Sequence, residues 1–330
     1  MSVTTADERV APPYGIICRQ FQRGGVVPFL GAGASLTVHG DEVKFDGNDP
    51  KFLPRADELS DWLAEECEFP PNEQHDLAKV ASYFQVRATR EELVDYLRQV
   101  FSRDYPIGAI HRFLAEVPKP MLIVTTNYDD LLERAFEEAG RPYHLVMYPD
   151  SDELAGAVLW WKPGAAEPER YAPSVLPLNV DEATVIYKMH GSIRRAAEQR
   201  KWDSFVITEE DYVRFLSRMT AKGGAIPSRF MLHIRNSSLL FLGYGLRDWN
   251  FRVMLEKLRR TFGRDDAVSL PSDDDDAGTL LAAQQGTKRS WAVQWRPSQL
   301  ERILWDSRNV QIFDQDLSVF AETLRKKMKS

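Results

Sequence analysis

The sequence is short of several things. Its 330 residues include only two cysteines, Cys18 and Cys67, too few for a four-thiolate zinc site. One disulfide would do little to staple a chain of this size, so the thiols fit a reducing, cytoplasmic compartment. Basic residues do not predominate. Lys and Arg number 42 against 49 Asp and Glu, for a net charge of −7, which argues against direct binding of nucleic acid or an anionic membrane. The longest apolar stretches, at 26–36 and 239–245, fall well short of the about 20 residues needed to cross a bilayer. The polar start MSVTTADERVAPPYG lacks the basic-then-apolar layout of a signal peptide. No period of about 20–50 residues repeats, which excludes solenoids and propellers.

What is present fits an ordinary globular protein: 43% apolar and 28% charged residues, enough for a sizeable core. Residues 16–23 read as a short helix ended by Gly24-Gly25. Val26-Val27-Pro28-Phe29-Leu30 reads as a buried strand, in which Pro28 belongs near the start or at an edge. Helical spacing then takes over: Leu59, Trp62, Leu63 and Cys67; Leu77, Val80, Ala81 and Phe84; Leu93, Tyr96, Leu97 and Val100. These stripes predict an all-helical module at 52–118, inserted into an α/β core. Strands are expected at 121–125, 184–189, 239–242, 291–295 and 310–313. Helices are expected at 128–139 (closed by Gly140), from 209 behind a Thr208–Asp211 capping box, and at 248–261, 297–306 and 317–327. Residues 149–181, with Pro163, Pro168, Pro173 and Pro177, predict a long loop or lid, and the acidic stretch 263–290 a mobile surface loop. The alternation predicts an α/β fold, a doubly wound Rossmann-like parallel sheet, with 1–330 forming one domain.

Ligands of such sheets sit where strands end and helices begin, and four apolar strands here end in small or polar residues. After Leu30 comes Gly31-Ala32-Gly33-Ala34-Ser35, where glycine lets backbone approach a pyrophosphate and a following helix offers N–H groups. A tight turn with no ligand fits the same residues, and Leu36 stands where a dinucleotide fingerprint has glycine. After Thr125 comes Thr126-Asn127-Tyr128-Asp129-Asp130. Asn127 offers a carboxamide that donates and accepts, and Asp129 an acceptor suited to a substrate amide; equally, Asn127 with Asp130, or Thr126 with Asp129, would cap the next helix. The third strand delivers His190-Gly191-Ser192, and of six histidines His190 is the one expected where a buried strand finishes at the sheet edge. It suits proton transfer near neutral pH, or a structural histidine. The fourth ends in Gly243-Tyr244-Gly245-Leu246-Arg247-Asp248, a second glycine turn whose Asp248 is also a plausible N-cap.

Together these motifs resemble the sirtuin-like (silent information regulator-like) family. Residues 31–35 are similar to its GAG-x-S loop, 126–131 to its T-x-N-x-D-x-L segment, His190-Gly191 to its His-Gly pair and 243–248 to its late glycine turn. The likeness runs from about residue 26 to 313 and includes 208–215. Two departures stand out: no four-cysteine zinc ribbon, and Ser35-Leu36-Thr37-Val38-His39-Gly40 in place of G-I-P-D-F-R. Both are typical of the bacterial anti-phage branch. The resemblance therefore implies a sheet without a zinc ribbon and an NAD+ glycohydrolase that yields ADP-ribose and nicotinamide, depleting NAD in abortive infection.

In that reading NAD is the substrate and no metal takes part. Asn127 and His190 would be catalytic. Gly31, Gly33 and Ser35 would hold the pyrophosphate, Asp129 would hydrogen-bond the nicotinamide amide, Gly243 and Asp248 would line the adenosine side, and Ala32, Thr126, Gly191 and Gly245 would complete the NAD-binding set. The alternatives are an NAD-dependent deacylase or ADP-ribosyl transferase, and a non-catalytic NAD or ADP-ribose sensor; a dehydrogenase fits less well because of Leu36. Family precedent implies a homo-oligomer, or a separately encoded activator such as a HerA-type ATPase or an Argonaute-like protein. The basic clusters at 194–201 and 325–329 fit such contacts or simply solvated helix faces.

Overall fold

A computed structural model describes residues 11–36, 45–73, 76–195, 197–220, 224–244, 290–307 and 309–329. The helix expected at 248–261, the acidic stretch up to residue 289, Gly245 and Asp248 lie outside these residues.

Helix α1 (Tyr14–Arg23) buries Ile17, Cys18 and Phe21 on one stripe and stops at Gly24, whose φ of 71° is left-handed. Strand β1 (Val26–Leu30) follows, buried throughout. Between it and β2 (Leu122–Thr125) come α2 (Ala56–Glu66), α3 (Leu77–Arg87), α4 (Arg90–Phe101) and α5 (Ala109–Glu116). The chain continues with α6 (Leu131–Glu138), β3 (His144–Met147), β4 (Val158–Trp161), β5 (Glu169–Tyr171), β6 (Val185–Lys188), and the short β7 (Gly191–Ser192) and β8 (Ser204–Phe205). Then come α7 (Glu209–Thr220), α8 (Ser228–Asn236), β9 (Ser238–Leu242), β10 (Ser290–Gln294), α9 (Gln299–Asp306), β11 (Val310–Asp314) and α10 (Leu317–Lys329).

Among the described residues, nine strands form one sheet in the order β11-β10-β9-β1-β2-β6-β3-β4-β5. Neighbours are parallel from β11 to β3 and antiparallel at β3–β4 and β4–β5. Strand alternation sends Leu30, Ile123, Leu145 and Ile186 to one face, where they pack with residues of α1, α5, α6 and α10. Val27, Phe29, Val124, Tyr187 and Phe241 point to the other, against Phe215 of α7, Phe230 of α8 and Trp305 of α9. Each fully buried phenylalanine here contributes about 2–3 kcal/mol of burial free energy. Helices on both faces of a mostly parallel sheet make the fold doubly wound and Rossmann-like.

Two expectations need correcting. Residues 149–181 are not wholly irregular. Val158-Leu159-Trp160-Trp161 is an apolar run whose side chains are all buried, and it adds an antiparallel edge strand, with β5 beyond it. Nor does Pro28 sit near the start or at an edge: it is the third residue of a central strand, opposite Leu240. Along β1 alternate amides face opposite neighbours, and Gly31 N–H faces β9 by bonding Leu242 O. The missing Pro28 N–H therefore faces β2, whose pairing with β1 begins only at Phe29 opposite Val124. The proline removes a donor where the ladder has not yet started.

The chain leaves β1 for β2 on one side and returns later to β9 on the other. The strand order thus reverses at β1, which is where an open α/β sheet forms its ligand crevice.

Candidate active site

The two glycine turns interlock. Gly31 N–H donates to Leu242 O and Gly33 N–H to Gly243 O, both at 3.0 Å. Gly243 has a φ of +69°, and a Cβ on it would lie 2.2 Å from Ala34 N and 2.4 Å from the Gly33 carbonyl carbon. A Cβ on Gly33 would meet Gly243 O at 2.8 Å, and one on Gly31 would meet the Tyr244 ring at 2.9 Å. Backbone of one strand end thus rests on backbone of the other, and only glycine allows it. The amides of Gly31 and Gly33 are occupied by this contact. Ala32, at the head of a single 3-10 turn (Ala32–Ala34), is exposed instead, and the first amide of such a turn has no partner within it.

The β2 end is held just as firmly. Asn127 N–H donates to Thr125 Oγ1 (3.0 Å), while its side-chain Nδ2 donates to Gly31 O (3.0 Å) and Ser35 Oγ (2.9 Å). A carbonyl can only accept, so the atom facing Gly31 O must be the amide nitrogen. Both Nδ2 hydrogens are engaged, and Oδ1 is left as the acceptor for a ligand. Neither capping arrangement expected for α6 forms. Asp129 Oδ1 accepts from Leu131 N (3.1 Å) in a local turn, while Asp130 faces Arg195, Oδ2 to Nε at 3.4 Å. That turn delays the helix start from the expected residue 128 to Leu131. Thr126 Oγ1 lies 3.1 Å from Tyr244 OH and so ties the β2 turn to the β9 turn across β1.

His190 follows β6 and is 8% exposed. The rings of Tyr212 and Phe215, on α7, meet it edge-on at centroid distances of 5.5 and 5.2 Å. Helix α7 begins in the expected capping box, with Thr208 Oγ1 accepting from Asp211 N and Asp211 Oδ2 accepting from Thr208 N, both at 3.1 Å. Burial among these rings pushes the imidazole down to about 4 from 6.5, because the charged form is poorly solvated there. The ring is therefore neutral at physiological pH. Gly191 acts on the backbone beside it. With a φ of +83°, its missing Cβ clears Ser204 O, which a Cβ would approach to 1.9 Å, so that β7 can pair with β8.

These strand ends open on one cleft of about 300 Å³, at the small end of the range for ligand sites. Ala32, Ser35, Thr126, Asn127, Asp129, His190 and Gly243 line it; Gly31, Gly33 and Gly191 stand behind the lining. The far walls come in part from residues outside the four strand-end motifs. Leu53, Pro54 and Arg55 just before α2 and Leu59 on it, with Leu77 of α3 and Phe101 of α4, form one wall. Tyr212, Phe215 and Leu216 of α7, with Tyr128 and Tyr244, form another. Helical spacing puts Leu59 and Leu77 on apolar stripes, but no local signal says which residues of a stripe meet a cleft. Arg55 is half-exposed at α2's start, within 3.2 Å of both Asp57 and Glu58.

Residues 121–313 match the profile of the SIR2-like domain. The chain belongs to the SIR2-like domain family. Among curated relatives, the SIR2-like chain is 27% identical over 239 residues to a protein named NAD(+) hydrolase ThsA from Cytobacillus dafuensis, a match covering 71% of this chain and 38% of that one. It is 23% identical to the NAD(+) hydrolase ThsA of Bacillus cereus (strain MSX-D12), over 72% of this chain and 40% of that protein. It is also 23% identical over 164 residues to Defense-associated sirtuin 2 of Bacillus subtilis, covering 50% of this chain and 13% of the relative. The SIR2-like chain thus matches about two fifths of the length of the two hydrolases. Among the described residues, no His, Cys, Asp or Glu cluster is placed to hold a metal ion, and no helix is long and apolar enough to cross a membrane.

Proposed function

We propose that this chain binds NAD+ in the cleft at the carboxyl edge of the sheet and hydrolyses its nicotinamide–ribose bond, releasing nicotinamide and ADP-ribose. One observation carries the reading: Asn127 and His190, from separate strand ends, line one cleft beside interlocked glycine turns. The names of the two ThsA relatives support the choice of reaction. The bond breaks with its electron pair passing to the pyridinium nitrogen, so nicotinamide leaves neutral and needs little help from an acid. Positive charge develops at the ribose, and a water oxygen bonds to C1′. Asn127 Oδ1 orients that water or a ribose hydroxyl, and neutral His190 accepts the proton released as the bond forms. Asp129 receives the carboxamide of nicotinamide. Ala32 and Ser35 face the pyrophosphate, and Gly243 faces the adenosine half.

The proposal extends to the biological setting. The name of the Bacillus subtilis relative supports a role in defence, with NAD depletion as the effector step and self-assembly or a separately encoded partner as the control. We also take residues 1–330 as one unit with 52–118 inserted, because β1 pairs with both β2 and β9 and cannot be detached from either.

Incubation with NAD+ and analysis of products tests the reading. Wild type should release nicotinamide and ADP-ribose without an acylated peptide, and Asn127→Ala and His190→Ala should each lower turnover by about 10²–10³-fold. Cellular NAD during expression should fall with wild type only. Turnover unchanged in both variants would remove the mechanism.

A further inference from the structure

Lys188 is completely buried, which for a lysine requires an explanation. In register it lies opposite Thr125, the last residue of β2, and so directly below the turn that carries Asn127. Its Nζ meets Glu133 Oε1 at 2.8 Å, donates to Asp129 O, and lies 3.5 Å from Tyr128 O. Glu133, on the first turn of α6, is 4% exposed. An ion pair buried this deeply adds little net stability over well-packed apolar residues of similar size. What an apolar side chain cannot do is hold carbonyl oxygens.

We infer that Lys188 is a positioning residue of this site: its ammonium grips the carbonyls of Tyr128 and Asp129 and so fixes the turn that presents Asn127 and Asp129 to the cleft. The Tyr128 carbonyl also accepts from Ile193 N at 3.1 Å. For Asp129 O, Lys188 is the only donor in reach among the described residues. Glu133 neutralises the charge and is not among the residues that line the cleft. The catalytic part of this inference rests on the proposed NAD+ hydrolysis; the mechanical part does not.

Three variants of the full chain separate grip from charge balance. In the double variant Lys188→Met with Glu133→Met, no charge is left unpaired, so Tm should fall by only about 2–6 °C, the effect of the Asp129 carbonyl losing its donor. Even so, kcat should fall by about 10–100-fold, the penalty of small misplacement, with KM within about 3-fold of wild type. Amides of residues 126–131 should exchange with solvent about 10-fold faster, while those of β6 keep their protection. Glu133→Gln leaves the ammonium on its carbonyls and should hold kcat within about 3-fold despite lower stability. Wild-type kcat and exchange in the double variant would overturn the inference. If the double variant does not fold, Lys188→Met and Glu133→Gln are compared below both unfolding transitions, and equal kcat losses would overturn it. If wild type itself does not cleave NAD+, the proposed function fails, and amide exchange still reports on the grip.

Discussion

Substituting Gly243 with alanine separates two reasons for glycine at these strand ends. If the glycines exist to admit a pyrophosphate, the variant should keep its stability and bind NAD+ less well. If they exist because two turns rest on each other, the empty protein should already suffer. The structure sets the size of the effect. The new Cβ would lie 2.2 Å from Ala34 N, where ordinary contact begins at about 3.4 Å, so the turns must part by about 1.2 Å. That motion breaks the bonds from Gly33 N–H to Gly243 O and from Gly31 N–H to Leu242 O. Two lost backbone bonds and a left-handed alanine together cost about 3–5 kcal/mol, a fall in Tm on the order of 5–10 °C. Gly140→Ala is the control: its φ is also positive, at +62°, but nothing lies within 4 Å of its Cβ, so it should lose only about 1–2 kcal/mol. Thermal unfolding of all three proteins without NAD+ decides the matter. Equal Tm values for Gly243→Ala and Gly140→Ala would refute the interlock.

Other consequences concern charge. Because burial holds His190 near 4, below its usual 6.5, the acid limb of the kcat profile should fall near the lower value; a limb near 6.5 would show a solvated imidazole. The unfolded chain binds this proton first, so stability is full above pH 6.5 and is lost as pH falls toward 4, by on the order of 3 kcal/mol from this group. Arg90 joins α4 to Phe205 O (2.8 Å) and Asp211 (2.8 Å) and lies 3.9 Å from Asp150. Burial and the neighbouring Asp211 push Asp150 up to about 7. Arg90→Met should therefore cost about 3 kcal/mol in denaturant unfolding at pH 8, where both carboxylates are charged. The loss should shrink at pH 5, where Asp150 holds its proton, and equal losses at both values would contradict this account.

The parts of the fold legible in the sequence are those whose signal is local. Val26–Leu30 and Ser238–Leu242 are apolar runs closed by glycine, and the stripes of α2, α3 and α4 have helical spacing. What escapes depends on a partner. The β4 run Val158–Trp161 is apolar, but it sits among prolines, and only its register with β3 makes it a strand. Pro28 is acceptable in a central strand because of where β2 begins to pair, which no residue of β1 reveals. At the site, the motifs mark Asn127 and His190, yet Gly31 and Gly33 serve a neighbouring backbone as much as any ligand. Leu59, Leu77 and Phe101 face the cleft from helices remote in sequence, and Lys188 carries no signal beyond being a charge within an apolar strand.

The cleft's charge suits a reaction in which a cation migrates. In the proposed reaction NAD+ would bring positive charge on the pyridinium, and bond breaking would move it to the ribose. A protonated imidazole beside that ribose would oppose the transition state. The edge-on rings of Tyr212 and Phe215 bury His190 and keep it neutral, so one packing arrangement both orients the ring and sets its charge. Among the lining residues, Asp129 brings a carboxylate and Arg55 stands apart at α2, beside Asp57 and Glu58. Asn127, with its nitrogen committed to Gly31 and Ser35, presents only the oxygen, the end of the amide that favours positive charge. Apolar walls from Leu53, Leu59 and Phe101 lower the local dielectric and strengthen each of these interactions. In the proposed reaction such preorganisation would lower the barrier to bond cleavage without any group in the cleft having to protonate the leaving nicotinamide.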